Sequence, residues 1–587
     1  RFPTFEVGGW RWTSYVYSGL FDNDKKIKDY SAEEWNNLIY ANDLKLSNPA
    51  PQYPQSGIYE GILPRFERSF FKKESREITG KNTSRYKEVV KQGICPECNG
   101  ARLNPKVLAC RIADKNIADC CNMQIDDLLD FVKTIKYNSI TPLLDSIIEN
   151  LENLLAIGLG YLTLSRETST LSGGESQRIK LVRHLGSSLT DLTYIFDEPS
   201  VGLHPNDVQR LNKLLIELRN KGNTVLIIEH DPDVIAIADH IIDMGIGAGK
   251  EGGNIVYEGD YESLKKSETP TGKYLNHKNQ LKIQYRQTSN YLDIKSSSLH
   301  NLKNVSTRIP KEVLTAITGV AGSGKSSLIK SLISKYKDIV VIDQSTLRGS
   351  KRSNIATYTG ILDKIRGLFA KRNRVKQSLF SSNSDGACSE CKGLGIISTD
   401  LAFLDAGEVR CEHCNGSGYR PEVLRYKLYD KSITDIMSMT ISEAYLFFKE
   451  DDILKPLERL CEVGLDYITI GQSLNSFSGG ERQRLKLATE LGKKGNIYIF
   501  DEPTTGLHGS DISKLMRLFD KLLDDKNTVI IIEHNMDIIS QADWIIDVGI
   551  GAGKNGGRII FEGLPKDIIT NNISLTGKHL GIYLNRT

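Results

Sequence analysis

Long apolar segments and a strong charge of one sign are both missing from this 587-residue sequence. No apolar run approaches the roughly 20 residues that a membrane-spanning helix needs, and no secretory signal is present. The net charge of +3 at pH 7 is too small to indicate a nucleic-acid partner by itself, so any basic surface must be local. The sequence therefore predicts a protein of the cytoplasm without a membrane partner, and its length predicts more than one domain.

Cysteine spacing typical of disulfides is also missing, because most of the ten cysteines fall in Cys-x-x-Cys pairs. Such pairs indicate metal binding in a reducing compartment rather than disulfide bonds. Two pairs, Cys388-Ser-Glu-Cys391 and Cys411-Glu-His-Cys414, are separated by 19 residues. This spacing predicts a closed four-thiolate zinc site, in which the metal staples a small domain and keeps no open position for catalysis.

A third pair, Cys95-Pro-Glu-Cys98, has the same sequence context as Cys411–Cys414. The pair that should accompany it is missing, because counting back by the same offset leads to Lys72 and Ser75. The residues alone leave open which ligands complete a site there. The rival ligands within the chain are Cys110, Cys120 and Cys121.

The most informative stretch is a phosphate loop, Gly319-Val-Ala-Gly322-Ser-Gly324-Lys325-Ser326-Ser327. Its glycines allow a tight turn whose amides face nucleotide phosphates. Lys325 is expected to reach the β- and γ-phosphates, and the Ser326 hydroxyl is expected to hold Mg²⁺. An apolar run at 313–317 predicts a strand before the loop, and 326–335 predicts a helix after it. This order is the context that the motif requires, so we predict a P-loop nucleotide-binding fold.

Four further motifs occur twice in the chain. Residues 171–178 recur at 477–484, 195–204 at 499–508, 228–230 at 532–534, and 241–250 at 545–554. The last three pairs share an offset of 304 residues, which indicates two copies of one module. In the first copy, short buried-strand runs at 192–196 and 224–228 alternate with a helical segment at 207–220. This alternation predicts an α/β fold, with a parallel sheet flanked by helices.

The repeated motifs have the residue types that nucleotide hydrolysis needs. Ser-Gly-Gly-Glu at a predicted helix start forms a second anion site. In each Asp-Glu pair, we expect the Asp to hold Mg²⁺ through water and the Glu to polarise the attacking water. We expect the strand-end histidine to contact a γ-phosphate, and Gln344 to contact Mg²⁺ or the water. The residues are Ser172, Gly173, Gly174, Glu175, Asp197, Glu198 and His230 in the first copy, and Ser478, Gly479, Gly480, Glu481, Asp501, Glu502 and His534 in the second.

Together these motifs resemble the ATP-binding cassette (ABC) superfamily. The longer sequences around these motifs resemble those of the UvrA family, the DNA-damage-binding subunits of bacterial excinucleases. This resemblance extends from about residue 91 to 587. The resemblance rests on the cysteine pairs and on residues 171–181, 197–204, 245–253, 343–345 and 352–360. It implies an α/β protein with two tandem ABC-type P-loop ATPase modules and zinc-containing inserted signature domains, using ATP, Mg²⁺ and Zn²⁺.

The resemblance also implies how the modules cooperate. ABC modules pair head to tail, so the phosphate loop of the second module should be closed by residues 172–175 of the first. A first phosphate loop would fall near residue 19, where Tyr17-Ser-Gly-Leu-Phe-Asp22 cannot cradle a phosphate. We therefore expect that loop, the partner cysteines of Cys95 and Cys98, and the surface for a UvrB-like partner to lie upstream of Arg1.

The same resemblance suggests domain bounds. We expect 1–90 to be part of an insertion domain, 91–270 the first module, 271–295 a linker, 296–345 the phosphate-loop part of the second module, 346–476 its signature domain with zinc, and 477–587 its remainder. Aromatic and basic residues within 1–94, among them Arg65 and Arg68, suit either a nucleic-acid surface or the solvated face of a small subdomain.

The expected function is that of an ATP-hydrolysing, DNA-binding homodimer that recognises damaged or distorted duplex DNA in nucleotide excision repair and is not itself a nuclease. Backbone contacts and duplex deformability would carry this recognition. Two alternatives are a UvrA-like paralogue for resistance to DNA-binding drugs, and a non-DNA ABC ATPase such as a transporter subunit or a translation factor. Candidate DNA contacts are Arg348, Lys351, Arg352, Lys371, Arg372, Arg374 and Lys376.

Overall fold

The computed structural model of the chain forms two compact units, Arg1–Arg111 and Ile112–Thr587. Among the residues that it describes, no helix is long and apolar enough to cross a membrane. The described residues are 10–54, 58–70, 93–171, 173–185, 190–245, 247, 252–277, 280–336, 338–343, 352–399, 407–491 and 496–585.

The first unit is a small helical subdomain built around Tyr59, which is fully buried. Tyr15 packs edge-on against Tyr59, and the Arg65 guanidinium lies 5.0 Å from the centre of the Tyr15 ring. Glu60 pairs with both Arg65 and Arg68, at 3.7 and 2.5 Å. These two arginines therefore neutralise a buried carboxylate, which favours the structural interpretation of this part of the basic stretch. Its helices are Trp10–Val16, Ala32–Ile39, Ile62–Phe70 and Pro105–Leu108.

A six-stranded sheet organises the second half of the second unit. Its strands, in spatial order, are β14 Ile559–Gly563, β13 Trp544–Val548, β7 Leu314–Thr318, β12 Thr528–Ile532, β11 Ile497–Asp501 and β8 Ile339–Ile342. All neighbouring pairs are parallel except β13 and β14. The central strand β7 is buried along its whole length, and the strand predicted at 313–317 is confirmed with a shift of one residue. The other strands described in this half are β5 Tyr291–Ser297, β6 Val305–Pro310, β9 Ile396–Thr399 and β10 Gly407–Arg410.

The first half of this unit repeats part of that sheet. Strands β1 (Thr193–Asp197) and β2 (Thr224–Ile228) pair in parallel, and β3 (Ile241–Gly245) and β4 (Asn254–Gly259) pair antiparallel. Their registers match those of β11 with β12 and β13 with β14, including the irregularity after Asp243 and its counterpart Asp547. The sequence repeat is therefore also a structural repeat.

One face of the first-half strands is apolar and exposed. Ile195 is 69% exposed and Met244 is 62% exposed, whereas their counterparts Ile499 and Val548 are each 1% exposed. In the second half, that face is continued by β7 and is covered by apolar residues of β5, β6 and the helix Lys325–Lys335. The described part of the first half contains no counterpart of these four elements.

Helices cover the sheet and build the inserted regions. A large core joins the second-half sheet to the helices between 355 and 524, and a separate core serves the first half. The helices of the second unit are Ile117–Asn122, Ile125–Thr134, Thr141–Ala156, Gly173–Leu185, Pro205–Asn220, Pro232–Ile235, Tyr261–Lys265, Pro270–Leu275, Lys325–Lys335, Ile355–Tyr358, Ile361–Asn373, Ile433–Met437, Ile441–Phe447, Asp451–Glu462, Gly479–Glu490, Gly509–Asp524, Met536–Ile539, Pro565–Ile568 and Leu575–Leu584.

Candidate functional site

The phosphate loop lies between β7 and the helix Lys325–Lys335, where the chain turns sharply at the end of a buried strand. Gly319, Gly322 and Gly324 all have positive φ values, 126°, 74° and 115°. A Cβ atom on Gly319 would be 2.0 Å from the carbonyl oxygen of Val548. This turn therefore requires a residue without a side chain.

The polar side chains of the loop are held in different ways. The Lys325 ammonium donates to the carbonyl oxygens of Gly319 and Val320 at 2.7 and 2.9 Å. Burial lowers the pKa of Lys325 to about 8, although nearby carboxylates favour its charged form. Ser326 is exposed in the first helical turn, whereas Ser327 is buried. Lys325 and Ser326 are thus placed for the roles that phosphate loops give them.

A second glycine-rich loop, 549–557, is hydrogen-bonded to the backbone of the phosphate loop. The Gly553 amide donates to the Gly322 carbonyl oxygen at 3.0 Å, and the Gly557 amide donates to the Ser323 carbonyl oxygen at 2.8 Å. This loop belongs to the repeated Gly-Ile-Gly-Ala-Gly-Lys motif. The structure therefore gives that motif a supporting role for the nucleotide loop.

The acidic pair of the second half lies at the end of β11. Glu502 has a φ of 50°, and its amide donates to the Ile532 carbonyl oxygen at 2.9 Å. Burial, together with repulsion from Asp501 and Glu533, raises the pKa of Glu502 to about 7. His534 Nε2 lies 4.0 Å from Glu502 Oε1, and burial holds the pKa of His534 well below its usual range. A carboxylate with a raised pKa beside a neutral histidine is suited to general-base chemistry.

The acidic pair of the first half has the same local geometry. Glu198 follows Asp197 with a φ of 46°, and its amide donates to the Ile228 carbonyl oxygen at 2.9 Å. His230 Nε2 lies 3.3 Å from Glu198 Oε1, and the hydrogen bond with Glu198 raises the pKa of His230. A Cβ atom on Gly506 would be 3.7 Å from Glu198 Oε2. The loop of the second half therefore approaches the acidic pair of the first.

The Ser-Gly-Gly-Glu sequence of each half is called its signature motif. The helix that begins in the first-half signature motif, Gly173–Leu185, lies beside the phosphate loop of the second half. The Tyr161 hydroxyl donates to Glu175 Oε1 at 2.5 Å. A Cβ atom on Gly322 would be 2.6 Å from the Tyr161 ring. A Cβ atom on Gly174 would be 2.9 Å from the Val201 carbonyl oxygen. Tyr161 and Glu175 thus bring the first half to the rim of the second-half phosphate loop.

Two more residues of the first half reach the acidic pair of the second. A Cβ atom on Gly202 would be 2.6 Å from Glu502 Oε2, so the backbone of the first half lies against this carboxylate. Arg178 is buried and donates to the Ile157 carbonyl oxygen at 3.1 Å. Its charge favours the ionised form of Glu502. The two halves therefore share one cleft around the phosphate loop.

The signature turn of the second half is an N-terminal cap. The Ser478 hydroxyl accepts from the Glu481 amide at 3.2 Å, and Glu481 Oε2 accepts from the Ser478 amide at 2.8 Å. The Tyr467 hydroxyl donates to Glu481 Oε1 at 2.6 Å. Gly479 opens the helix, and a Cβ atom on Gly480 would be 2.4 Å from the Thr505 carbonyl oxygen. In both halves, a tyrosine hydroxyl thus bonds to the glutamate of the motif, and its second glycine lies against a backbone carbonyl oxygen.

The four cysteines at 388–414 lie together and are buried. All four Sγ atoms are within 4.8 Å of one another, and Cys391 and Cys414 are 3.7 Å apart. A tetrahedral zinc ion with Zn–S bonds of about 2.3 Å needs thiolates about 3.8 Å apart, so Cys388, Cys391, Cys411 and Cys414 fit Zn²⁺. Among the described residues, these form the only group of at least three candidate metal ligands.

Each cysteine pair is followed by the same short left-handed turn. Lys392–Gly393 and Asn415–Gly416 have φ values of 50° and 83°, and of 47° and 77°. Asn99–Gly100, which follows Cys95 and Cys98, has φ values of 48° and 86°. The third pair therefore has the backbone conformation of a metal knuckle, although the described residues do not complete a ligand set around it.

The predicted DNA contacts fall on the surface of the inserted region. Arg352, Lys371, Arg372 and Arg374 are all exposed. Arg352 Nη2 donates to the Lys392 carbonyl oxygen at 2.7 Å, next to Cys391. This contact attaches the basic surface to a zinc knuckle. Four predicted site residues lie outside the described part of the chain: Ser172, Gln344, Arg348 and Lys351.

Sequence reasoning did not single out several residues that contact the site. Tyr161 and Tyr467 are 306 residues apart, the same offset as the two signature motifs, so the repeat could have identified them. Gly202 and His204 lay inside a motif that was recognised for its acidic pair. Their contacts depend on how the halves dock, which has no signal in a single sequence.

Comparison with known proteins agrees with this geometry. The family described as ABC transporter matches residues 302–505. UvrABC system protein A of Aquifex aeolicus is 41% identical over 573 residues, which cover 90% of this chain and 61% of that protein. UvrABC system protein A of Clostridium acetobutylicum is 38% identical, with coverages of 97% and 66%. This chain thus spans less than two thirds of the length of these relatives.

A solved structure extends the match to the whole chain. The crystal structure of UvrA2 from Deinococcus radiodurans superposes with a TM-score of 0.88 at 31% sequence identity. The match covers 100% of this chain and 78% of that one. Shared fold, identity and motifs agree, and this chain belongs to the UvrA family of ABC ATPases.

Proposed function

We propose that this protein is an ATP-hydrolysing, DNA-binding protein of the UvrA type, which recognises damaged or distorted duplex DNA in nucleotide excision repair. The observation that supports it best is the cleft in which Gly202 and Tyr161 of the first half meet Glu502 and Gly322 of the second. An ATP molecule held there would contact both halves. Its hydrolysis could then change how the halves dock, which is what an ATP-driven DNA sensor requires.

The residues of the cleft would have different roles in ATP hydrolysis. Lys325 and the loop amides would bind the phosphates, and Ser326 and Asp501 would hold Mg²⁺, which would neutralise charge on the phosphates. Glu502 orients the attacking water and takes its proton, and buried His534 contacts the γ-phosphate. The first half closes the cleft with Gly173, Gly174 and Glu175.

We further propose that the chain is built from two tandem ABC modules, the first of which is completed by a phosphate-loop segment. The exposed apolar face of β1–β4 supports this, because its second-half counterpart is continued by β7 and covered by β5, β6 and the helix Lys325–Lys335. An apolar sheet face of this kind is normally buried. Family membership also supports a homodimer.

The proposed DNA surface combines the zinc module with the exposed basic residues Arg352, Lys371, Arg372 and Arg374. The hydrogen bond from Arg352 to the knuckle carbonyl of Lys392 supports a shared surface. Zinc would fix the knuckles and thereby the positions of the basic side chains. Contacts to phosphates would bind without reading base identity, and the affinity would fall steeply with salt.

The test measures ATP hydrolysis with no DNA, with an undamaged duplex, and with the same duplex carrying one bulky lesion. We expect the lesion to stimulate hydrolysis more than the undamaged duplex does, and binding in a gel-shift assay to weaken between 50 and 200 mM salt. Lys325→Ala should abolish nucleotide binding. A rate of ATP hydrolysis that neither duplex changes would contradict the proposed recognition of DNA. Stimulation by a DNA-binding drug alone would favour the resistance paralogue.

A further inference from the structure

Two buried histidines link the halves of the molecule, and their contacts go beyond the roles assigned above. We propose that His204 of the first half is a positioning residue for His534 of the second, and that Thr576 sets the orientation of His204. This inference rests on the proposed ATPase function. Because His204 and His534 lie in different halves, His534 is correctly placed only when the two halves are docked.

The first link begins directly beside the phosphate loop. Asp547 is buried in β13 and accepts hydrogen bonds from the hydroxyls of Thr318, at 2.8 Å, and Thr576, at 3.0 Å. Ser574 donates to the other oxygen of Asp547 at 2.5 Å. Thr318 immediately precedes Gly319, the first residue of the loop. The Thr576 hydroxyl is thus bonded to the same carboxylate oxygen as Thr318, the last residue of the strand that leads into the phosphate loop.

The hydrogen bonds around His204 determine which of its two ring nitrogens carries the hydrogen. Because Thr576 uses its one hydroxyl hydrogen on Asp547, His204 Nε2 must donate to Thr576 Oγ1, at 3.3 Å. His204 Nδ1 accepts from the Asn206 amide at 3.2 Å. Burial holds the pKa of His204 well below its usual range, which agrees with a neutral ring. His204 is therefore held as the neutral Nε2–H tautomer.

The third link is the contact between the two rings. His204 meets His534 edge to face, with ring centres 5.9 Å apart and planes at 88°. Among the residues that the structure describes, no hydrogen-bond partner is found for buried Nδ1 of His534. Packing against His204 is therefore what restricts the His534 ring on that side, while its Nε2 lies 4.0 Å from Glu502.

The same arrangement occurs a second time, with the halves exchanged. The Thr271 hydroxyl donates to Asp243 at 2.8 Å and lies 3.1 Å from His508 Nε2. His508 meets His230 edge to face, with ring centres 6.1 Å apart and planes at 89°. A buried, hydrogen-bonded histidine is usually only a packed core residue. Here the same series of four residues, Asp, Thr, His and His, crosses between the halves twice and leads to the strand-end histidine both times, which chance packing does not explain.

The proposal predicts different effects for two changes at Thr576. Thr576→Val keeps the shape but removes the acceptor of the His204 N–H, leaving a buried donor unsatisfied. We expect kcat for ATP hydrolysis to fall about tenfold, while the dissociation constant for ATP changes less than about twofold. Thr576→Ser retains the hydroxyl and should restore the wild-type kcat. Thr570→Val is the matched control, because within the described part of the chain the Thr570 hydroxyl bonds only to the nearby Asp567 carbonyl oxygen.

The experiment measures kcat, ATP affinity and the ring nitrogen-15 shifts of His204 in the full chain and these three variants. A kcat loss in Thr576→Val that Thr576→Ser reverses, with a changed His204 tautomer signal, supports the proposal. Wild-type kcat in Thr576→Val, or an equal loss in Thr576→Ser, overturns it. If the wild-type chain binds ATP without hydrolysing it, the proposed ATPase function fails. The nitrogen-15 shifts then decide the link alone: an unchanged signal in Thr576→Val overturns it, and a lost Nε2–H signal supports it.

Discussion

Gly202 of the first half lies so close to Glu502 of the second that a Cβ atom there would be 2.6 Å from the carboxylate oxygen. The backbone at Gly202 has a φ of 69°, which an L side chain rarely adopts. A substitution at this position therefore has two separable effects, backbone strain and displacement of the carboxylate.

Gly202→Ala should lower kcat for ATP hydrolysis at least about tenfold, because the new methyl group displaces the proposed general base. Gly222→Ala is the matched control, since Gly222 has a φ of 86° and nothing within 4 Å of the added atom. Both variants should lose about 1 kcal/mol of unfolding free energy from left-handed strain. Denaturant unfolding and ATPase assays on the pair check this. Equal kcat values for the two alanine variants would speak against the contact.

Asp231 offers a test that depends on pH. Burial, followed by repulsion from Asp233 and Glu229, raises its pKa to about 7. The folded state therefore favours the protonated acid, and the stability that protonation provides is lost as the pH rises through 7. The counterpart in the second half is Asn535, which caps its helix through the Asp537 amide as Asp231 does through that of Asp233, each at 2.8 Å.

Asp231→Asn should keep this cap and remove the charge. Relative to wild type, the variant should gain about 2 kcal/mol more unfolding free energy at pH 8 than at pH 5. Denaturant unfolding at the two pH values measures the difference. A gain that is the same at both pH values would show that ionisation of Asp231 does not affect stability.

The cysteine cluster predicts a zinc content that single substitutions should change. Cys411→Ser should lose the ion held by the cluster and should unfold at a lower temperature than wild type, because structural zinc contributes folding free energy of several kcal/mol. Cys110→Ser should keep both zinc content and melting temperature, because Cys110 is exposed and lies outside the cluster. Elemental analysis and thermal unfolding decide the matter. Full zinc content in Cys411→Ser would contradict the assignment.

Local structure was largely predictable from the sequence. The strand runs at 224–228 and 313–317 were placed within one residue, because short apolar runs between turn residues have few alternatives. The helix predicted at 207–220 begins two residues earlier, at Pro205, where His204 provides the cap. The clustering of the four cysteines followed from their spacing alone.

The contacts between halves were much less predictable. The resemblance implied that the halves would meet around the phosphate loop, but it did not indicate which atoms would touch. Gly202 against Glu502 and His204 against His534 are contacts between residues about 300 positions apart. Basic residues were also ambiguous, since Arg65 was counted with a surface stretch and is buried beside Glu60. Charge alone does not distinguish a solvated side chain from a buried ion pair.

Closure of the second-half nucleotide site by the first half is the central feature of the proposed mechanism. Tyr161 and Tyr467 occupy equivalent positions, but the ring that lies against the phosphate loop is that of Tyr161. Measuring ATP hydrolysis by Tyr161→Ala and Tyr467→Ala tests this closure directly. We predict that kcat/KM falls at least about tenfold in Tyr161→Ala and stays within about threefold of wild type in Tyr467→Ala. Equal losses in the two variants, or the larger loss in Tyr467→Ala, would contradict the shared site.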